Sequence, residues 1–410
     1  MKTEVLPLPR AAAKARAPRV CVIGGGGTGA ALAYDLALRG LAVVLLEKGE
    51  LTSGTTGRHH GQLHSGARYA LGDRAIAREC YEETLVLRRI VPEAIEYNGG
   101  FFIALAEDEA ELAPAFIAAC LEAGIPAREV PAARALELEP AMSPRLRRAV
   151  WVPDGTFDAF RLPLAFFAAA KALGARVRPW TEVLGLEVSG GRVVAARVID
   201  RSADPFREER VEADYFVSAT GAWAGRVGAL AGLDIPITPA PGALLAVRGR
   251  LVDRVVSRLR PAGDGDIMVP QRGLSIIGST QRVADDPEAI RPTREEARFL
   301  RGAGAELVPA FGDEAGAAPL HAVWAAARPL AGRSSDDGRS ISRDFAALDH
   351  EARDGLAGIA TIIGGKATVL RAMAEKAADL VCAKLGVAAP CSTADYALPS
   401  WREYYGGRKA

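Results

Sequence analysis

The sequence lacks any apolar run of the roughly 18 residues that a membrane-spanning helix requires, although 49% of its 410 residues are hydrophobic. Its first stretch, MKTEVLPLPRAAAKARAPR, has basic side chains but not the apolar region of a secretory signal peptide. We interpret residues 1–17 as a disordered arm and expect a cytoplasmic location. Contact of this arm with an anionic membrane, which would place the protein peripherally at the inner face, is the alternative.

The sequence also has almost no net charge. Lys and Arg total 51 while Asp and Glu total 50, so the formal net charge is +1. Because duplex binding relies on a basic surface, we expect no nucleic acid partner. Cysteine is scarce, the five residues lie far apart, and no C-x-x-C pair occurs. This usage argues against a zinc or iron–sulfur cage and suits a reducing cytoplasm.

What the sequence does contain is a glycine-rich turn between two apolar segments, in RVCVIGGGGTGAALAYDLALRGLAVVLLEKGE at 19–50. Gly24, Gly26 and Gly29 have the G-x-G-x-x-G spacing. The first glycine permits a tight turn, the second lets the backbone approach a pyrophosphate, and the third lets helix and strand pack closely. Glu47, after the second apolar run, is placed to accept hydrogen bonds from a ribose. This order of elements predicts a dinucleotide site; the alternative is a structural turn without a ligand.

Two later strand–glycine turns indicate which dinucleotide binds. They occur in YFVSATGAWAG at 215–225 and in LAGIATIIGGKATVLRAMAEKAADLVCAKLG at 356–386. Segments so far apart suit a flavin protein with an inserted second domain better than a compact nicotinamide-binding half. We therefore predict an α/β fold in which a Rossmann-type FAD-binding domain, assembled from discontinuous segments, carries an inserted mixed-sheet α+β substrate domain.

The domain boundaries follow from the positions of these motifs. Short strands alternate with helical segments in the regions between the glycine turns, and these regions are assigned to the substrate domain, or cap. The expected boundaries are 18–98, 145–234 and 326–398 for the FAD-binding domain, 99–144 and 235–325 for the cap, and 399–410 for a tail.

The chain resembles the FAD-dependent glycerol-3-phosphate dehydrogenases of the D-amino-acid-oxidase-like flavoproteins, and is most similar to the large subunit of the anaerobic type without its C-terminal region. The motifs that carry the resemblance occur in the family's order from residue 18 to residue 398: GGGGTGAALAYDLALRGL, TTGRHHGQLHSGARYA, VPDGTFDAFRL, SATGAWAG, DIMVP, SIIGST, ARPL, DGLAGIATIIGGK and PCSTADYALP. The resemblance implies FAD as cofactor. It also implies oxidation of sn-glycerol 3-phosphate to dihydroxyacetone phosphate by hydride transfer to flavin N5.

The resemblance further implies which residues form the site. TTGRHHGQLHSGARYA would run along the flavin into the substrate cavity, with His64 and Arg68 directed at a small anionic substrate. Arg328 and Lys366 would complete a cationic pocket for its phosphate or carboxylate, so these four are the expected catalytic residues. The residues expected to contact the cofactor are Gly24, Gly26, Gly27, Thr28, Gly29, Glu47, Lys48, Thr55, Thr56, Arg58, His60, Gly61, Leu63, His64, Val183, Ala219, Thr220, Gly221, Trp223, Gly225, Arg328, Gly364, Gly365, Lys366, Ala367 and Thr368.

Some of these residues have a competing interpretation. The preferred reading of His59 is that it only hydrogen-bonds the loop backbone. Arg328 could pair with a surface acid such as Asp336 or Asp337 instead of contacting substrate. His60 and His64 have the i, i+4 spacing of metal ligands on a helix, but nearby glycines argue against a helix here. No metal is therefore expected.

Departures from the family pattern leave the substrate open. Leu370 stands where relatives commonly have tyrosine, Pro241-Gly242-Ala243 where many have lysine before glycine, and Trp324-Ala325-Ala326 where relatives have Tyr-Ser-Gly. The alternatives are an amino acid, a 2-hydroxy acid or another polyol phosphate, or a non-catalytic electron-transfer or assembly subunit that binds flavin. Electrons are expected to leave through a partner subunit or a membrane quinone. The basic segment VRGRLVDRVVSRLR at 247–260 is a candidate docking surface for that acceptor, and a solvated face is the alternative.

Overall fold

The structure is a computed structural model that describes residues 5–9, 17–312, 316–333 and 344–406. Most of the predicted N-terminal arm lies outside these residues. Within residues 5–9, Leu6 forms an isolated parallel bridge with Tyr396, and two neighbouring apolar side chains pack against the main core. The prediction of a disordered arm is therefore wrong for this stretch, because its apolar side chains have a hydrophobic surface to cover.

A six-stranded central sheet organises the first domain. In spatial order its strands are Phe345–Asp349, Ile359–Gly364, Tyr215–Ser218, Arg19–Ile23, Ala42–Leu46 and Arg176–Arg178. Neighbouring strands are parallel except at the Phe345–Asp349 edge, where the pairing is antiparallel. The four middle strands are mostly buried, as expected for a parallel sheet covered on both faces. This sheet confirms the predicted α/β fold built from distant segments.

Helices cover the central sheet. Gly27–Leu38 is almost wholly buried and packs against Arg161–Ala172 and Leu370–Leu385. Its many alanines allow that close packing. The other helices of the described chain are Arg74–Ile90, Glu107–Glu111, Ala113–Glu122, Ala132–Leu138, Ala224–Ala229, Arg294–Leu307 and His350–Asp354. In the described ranges, no helix combines the length and the apolar character needed to cross a membrane.

An eight-stranded sheet, here called the cap sheet, forms the second domain. In spatial order its strands are Leu320–Ala331, Ile237–Arg248, Leu274–Gly278, Ile267–Gln271, Val255–Arg258, Gly100–Ala104, Arg148–Val152 and Arg128–Val130. The sheet is mixed, since Gly100–Ala104 and Val255–Arg258 pair in parallel while the other neighbours are antiparallel. It extends past two predicted boundaries, because Arg148–Val152 and the end of Leu320–Ala331 both pair within it.

Two three-stranded sheets complete the fold. One consists of Thr181–Ser189, Arg192–Asp200 and Arg207–Glu212. The other consists of Gln62–Leu63, Gly155–Phe157 and Ile95–Glu96. In this second sheet Gln62 pairs with Thr156 and Leu63 with Gly155, so the histidine-rich segment is fixed to the strand that follows the cap strand Arg148–Val152. The segment 55–70 therefore lies where the two domains meet.

Candidate active site

A cavity of about 690 Å³ lies between the central sheet and the cap sheet. Its walls include Ile23, Leu46, Ala219 and Gly364, which end or directly follow four parallel strands, and Pro329 of the cap sheet. The volume is within the range of small-molecule sites, and the carboxyl edge of a parallel sheet is where such folds bind ligands. We call this space the main cavity.

Most residues predicted to contact a cofactor line the main cavity. They include residues from each of the three strand–glycine turns found in the sequence. The set comprises Gly24, Gly26, Gly27, Thr28, Glu47, Lys48, Thr55, Thr56, Arg58, Val183, Ala219, Thr220, Gly221, Trp223, Gly364, Gly365, Lys366 and Ala367.

The glycine turn has the geometry that its spacing predicts. Gly24 has a φ of +109°, and a Cβ there would lie 2.6 Å from the carbonyl oxygen of Ala219. A Cβ on Gly29 would lie 2.0 Å from the carbonyl oxygen of Gly24, so only glycine permits this approach of helix to strand. The helix begins at Gly27, whose N–H donates to Oγ1 of Thr56 at 3.0 Å, and its positive end lies at the cavity wall because Gly26, Gly27 and Thr28 line the cavity.

Charged side chains and one indole ring form the wall of the main cavity near the glycine turn. Oε2 of Glu47 accepts a hydrogen bond of 2.7 Å from the backbone N–H of Gly25, which fixes this carboxylate at the cavity wall. Lys48 lies over the ring of Trp223, with Nζ 4.6 Å from the ring centroid. Glu288 pairs with Lys48 and accepts a hydrogen bond of 2.6 Å from Nε1 of Trp223. Sequence reasoning missed Glu288, which belongs to no recognisable motif.

Six predicted cofactor residues outside the catalytic set do not line the main cavity: Gly29, His60, Gly61, Leu63, Gly225 and Thr368. Gly29 and Leu63 are buried in the packing of helix and strand, and Gly225 lies within a short helix. Thr368 is 1% exposed and accepts a hydrogen bond of 3.2 Å from the backbone N–H of His64. Gly61 lines a different cavity. Gly29, Leu63, Gly225 and Thr368 thus shape the site through packing.

The imidazoles of His59 and His60 are held in one neutral tautomer. Nδ1 of His59 accepts a hydrogen bond of 2.8 Å from the N–H of Gly61, and Nδ1 of His60 accepts one of 3.1 Å from that of Gln62. Burial lowers the pKa of His59 to about 4, partly opposed by the charge of Asp158. Burial also lowers the pKa of His60 far below its usual value, and neighbouring cationic side chains act in the same direction. Each neutral ring must therefore carry its proton on Nε2.

Three of the four predicted catalytic residues lie near His60, and the fourth, Lys366, lies near Tyr69. The ring centroids of His60 and His64 are 6.4 Å apart, and that of Tyr69 lies 5.9 Å from His64. Nζ of Lys366 lies 5.4 Å from the centroid of the Tyr69 ring. Arg68 and Arg328 are both close enough for their charges to lower the pKa of His60. The structure therefore brings the predicted catalytic residues together into one cationic cluster, which Lys366 connects to the lining of the main cavity.

The two arginines of the cluster are held by the cap domain. Nη2 of Arg68 lies 3.3 Å from Oδ2 of Asp266, a fully buried carboxylate. Nη2 of Arg328 donates to the carbonyl oxygen of Thr280 at 3.1 Å and to the hydroxyl of Ser279. Asp336 and Asp337, the alternative partners of Arg328, lie outside the described residues.

The buried carboxylate of Asp154 holds the histidine-rich segment 55–70 in place through hydrogen bonds. Asp154 accepts hydrogen bonds from Nε2 of Gln62 at 2.8 Å, from the N–H of Ser65 at 2.8 Å and from its Oγ at 2.6 Å. Burial raises the pKa of Asp154, while the hydrogen bonds from Ser65 and Gln62 lower it. The hydroxyl of Thr84 donates to the carbonyl oxygen of His64 at 2.6 Å. These contacts fix the backbone on both sides of His64.

The basic segment 247–260 is not an open cationic surface. Arg250, Arg254, Arg258 and Arg260 each form an ion pair with an acidic side chain. This compensation removes much of the positive charge that recommended the segment as a docking surface for an electron acceptor. Within the part of the chain that the structure describes, no group of three or more His, Cys, Asp or Glu side chains could hold a metal ion.

Comparison with known proteins identifies the family. The family model described as FAD dependent oxidoreductase matches residues 19–380. The chain belongs to this family. The A1 subunit of the anaerobic glycerol-3-phosphate dehydrogenase of Haloferax volcanii is 44% identical over 399 residues, which are 95% of this chain and 67% of the relative. The corresponding subunit of the anaerobic enzyme of Escherichia coli K12 is 43% identical over 387 residues, which are 94% of this chain and 70% of the relative.

A solved structure shows the same fold. The glycerol-3-phosphate dehydrogenase from Bacillus halodurans complexed with FAD superposes with a TM-score of 0.71 at 23% identity, over 94% of this chain and 68% of that one. The residues of this FAD-dependent oxidoreductase fit the family's cofactor. The Gly24 turn leaves no side chain between backbone and ligand, the helix N-terminus at the cavity wall suits a pyrophosphate, and Glu47 is fixed at the same wall.

Proposed function

We propose that this chain oxidises sn-glycerol 3-phosphate to dihydroxyacetone phosphate. The observation that carries the proposal is the cationic cluster of Arg68, Arg328 and Lys366 around two histidines at the domain junction. It combines groups that hold an anion with a group that can remove a proton, beside a cavity that fits FAD. The relatives at 43–44% identity are named for the same substrate, which supports the proposal.

Arg328 and Arg68 would hold the phosphate group. A guanidinium matches a phosphate with two parallel hydrogen bonds, and each is kept in place by cap-domain contacts with Thr280 or Asp266. Arg68 is the more constrained of the two, because the carboxylate of Asp266 competes with the substrate for its charge. Arg328 donates to the oxygens of Ser279 and Thr280.

His64 would accept the hydroxyl proton of the substrate. His59 and His60 are poor bases in this environment, since their pKa values are lowered and backbone N–H groups occupy their Nδ1 atoms. The backbone of His64 is fixed on its N–H side by Thr368 and at its carbonyl by Thr84. Bound FAD supplies the hydride acceptor. Nε2–H of His60 would donate a hydrogen bond to an oxygen that gains negative charge in the reaction.

The electrons would then pass to a quinone or to a partner subunit. The relatives are named as subunits of an anaerobic dehydrogenase, which supports a larger assembly. A cytoplasmic protein attached peripherally to the inner face of the membrane would meet either acceptor.

Anaerobic flavin reduction tests the proposal. The purified, FAD-loaded protein is mixed with glycerol 3-phosphate, glycine, L-proline or L-lactate, and bleaching of the flavin absorbance is followed by stopped flow. We expect glycerol 3-phosphate to reduce the flavin fastest. Faster flavin reduction by an amino acid or a hydroxy acid would assign the chain to that substrate class instead. Absence of flavin reduction by every compound would favour a non-catalytic subunit.

Arg328→Ala tests the anion-binding role within the same assay. Loss of one charge-assisted hydrogen bond weakens binding by about 1.5–3 kcal/mol, so the glycerol 3-phosphate concentration for half-maximal reduction should rise roughly 10- to 100-fold. Arg328→Lys should restore only part of this, because the planar fork is lost. Arg333→Ala, at an exposed arginine paired with Asp234, is the matched control and should behave as wild type. An unchanged concentration dependence in Arg328→Ala would place the phosphate elsewhere.

A further inference from the structure

A segment of the cap domain forms part of the wall of the main cavity. It lies between the cap strand Leu274–Gly278 and the helix Arg294–Leu307. Its residues Pro287, Glu288 and Arg291 line the cavity that also contains the glycine turn. These three residues belong to none of the strand–glycine turns that predicted a cofactor site. We call residues 285–292 the cofactor strap.

The cofactor strap is fixed at both ends and lacks backbone hydrogen bonds along its length. Just before it, the N–H of Ala284 donates to the carbonyl oxygen of Pro239 at 3.0 Å. Just after it, Thr293 and Glu296 form the capping box that starts the next helix. In the described part of the chain, no backbone–backbone hydrogen bond involves residues 285–292. A segment that is held through its side chains can open locally at small cost.

Three polar contacts attach the cofactor strap to the FAD-binding domain. The carboxylate of Glu288 pairs with Lys48 and accepts a hydrogen bond of 2.6 Å from Nε1 of Trp223. Asp286 accepts a hydrogen bond of 2.6 Å from Nη2 of Arg226. Partial burial raises the pKa of Glu288, but the hydrogen bonds from Lys48 and Trp223 outweigh it and lower that pKa below its ordinary value. This carboxylate is therefore charged at neutral pH.

One apolar side chain of the cofactor strap is buried between the two domains. Ile290 is 5% exposed and packs with Ala222 of the FAD-binding domain and with Ala325 and Ala327 of the cap sheet. The ring of Trp223 packs against the same cluster. Burial of Ile290 favours the attached position of the strap, because apolar surface would return to water if the strap moved away.

The polar contacts of Glu288 lie on both sides of the glycine turn. Lys48 and Trp223 follow the two strands that flank Arg19–Ile23 in the central sheet. That middle strand leads directly into Gly24. Neighbouring strands are about 4.8 Å apart, so Glu288 connects side chains from strand ends that are roughly 10 Å apart. The cofactor strap thus spans the part of the main cavity that the glycine turn borders.

We propose that the cofactor strap is a gate for FAD, which enters and leaves only when residues 285–292 detach from the FAD-binding domain. The contacts that close this gate join protein side chains to one another, so they oppose entry and exit of the cofactor alike. A variant that weakens the strap therefore changes both rates by the same factor and leaves the affinity for FAD nearly constant. The proposal concerns the cofactor and holds whichever substrate the enzyme oxidises.

Exchange of bound FAD with excess radiolabelled FAD measures the dissociation rate from the holoprotein without any substrate. Glu288→Ala removes the contacts to Lys48 and Trp223, and Ile290→Val removes one buried methyl group. Each change should speed dissociation about fivefold, since an exposed ion pair and one buried methyl group are of similar, modest worth. Association of FAD with the apoprotein, followed by flavin fluorescence, should speed up by the same factor.

Ionic strength separates the electrostatic contact from the apolar one. The side chains of Lys48 and Glu288 are 43% and 48% exposed, so added salt screens their pairing. Dissociation of FAD from wild type and from Ile290→Val should therefore speed up from low to high KCl concentration, and Glu288→Ala should respond less. Glu137→Ala, at an exposed glutamate that pairs with Arg134 on a cap helix, is the matched control and should exchange FAD as wild type does.

The direction of the change distinguishes a gate from an ordinary contact with the cofactor. Loss of a negative charge near the anionic FAD would by itself slow dissociation, so charge alone predicts the opposite result for Glu288→Ala. Faster dissociation with an unchanged association rate, or wild-type dissociation rates in both strap variants, would overturn the gate. Equal acceleration in Glu137→Ala would also overturn it, because the effect would not be specific to the strap. No substrate is present, so the proposed function stands or falls separately.

Discussion

The unusual protonation of His59 makes the protein's stability depend on pH in a calculable way. The unfolded chain binds a proton at this histidine near pH 6.5, whereas the folded chain does so only near pH 4, because burial lowers the pKa of the ring. Between these values the unfolded state holds more protons, so stability is lost as pH falls from 6.5 towards 4. From pH 7 to pH 4.5 this single group should remove about 2 kcal/mol of folding free energy.

His59→Gln isolates that contribution. The variant keeps an acceptor for the N–H of Gly61 but cannot titrate, while every other ionisable group is common to both proteins. With an unfolding entropy of about 2.1 cal/mol/K per residue over the chain, 2 kcal/mol corresponds to roughly 2 °C in Tm. Differential scanning fluorimetry at both pH values should therefore show a Tm drop about 2 °C larger in wild type. Parallel Tm curves for the two proteins would refute the assignment of a neutral, buried His59.

Two further predictions concern the backbone of the site. Gly29→Ala places a Cβ 2.0 Å from the carbonyl oxygen of Gly24, and we expect this variant to retain no FAD after gel filtration. The control variant Gly302→Ala, whose Cβ meets nothing within 4 Å, should retain FAD fully. A Gly29→Ala protein that is still yellow would contradict the geometry. Ser65→Ala removes the shortest hydrogen bond to buried Asp154. It should lower the unfolding free energy, measured by urea titration, by about 1–3 kcal/mol, and should slow flavin reduction, measured by stopped flow. Wild-type values in both measurements would mean that Asp154 does not anchor the segment.

The glycine turn and the central strands could be predicted from sequence because each carries a local signal. An apolar β-branched run, glycines at fixed spacing and a following acid are visible without knowledge of the fold, and Gly24 and Glu47 both line the cavity as that pattern indicates. The cap boundaries could not be read in the same way. The strand Arg148–Val152 is an ordinary apolar run, and only its pairing with Gly100–Ala104 assigns it to the cap sheet.

The missed residues of the site share one property. Asp154 and Glu288 are single acidic residues in irregular segments, and neither periodicity nor spacing distinguishes them from surface carboxylates. Both depend on partners distant in sequence, such as Gln62 and Lys48, and Asp154 is in addition buried. A second cavity, of about 680 Å³, is a more extreme case, because its walls come from parts of the chain as far apart as Glu50 and Tyr405. The compensated charges of 247–260 likewise depend on acids contributed by other elements.

The order of strands in the central sheet also constrains how the protein is made. The strand Ile359–Gly364, two places away from Arg19–Ile23 in the sheet, is made some 340 residues after it. Tyr215–Ser218, which lies between them, is made roughly 140 residues before Ile359–Gly364, so its apolar edge has no neighbour on one side for on the order of ten seconds. The flavin cavity closes only when Gly364 and Met373 have been added. Uptake of FAD must therefore wait until these residues have been made, long after the glycine turn that begins the site.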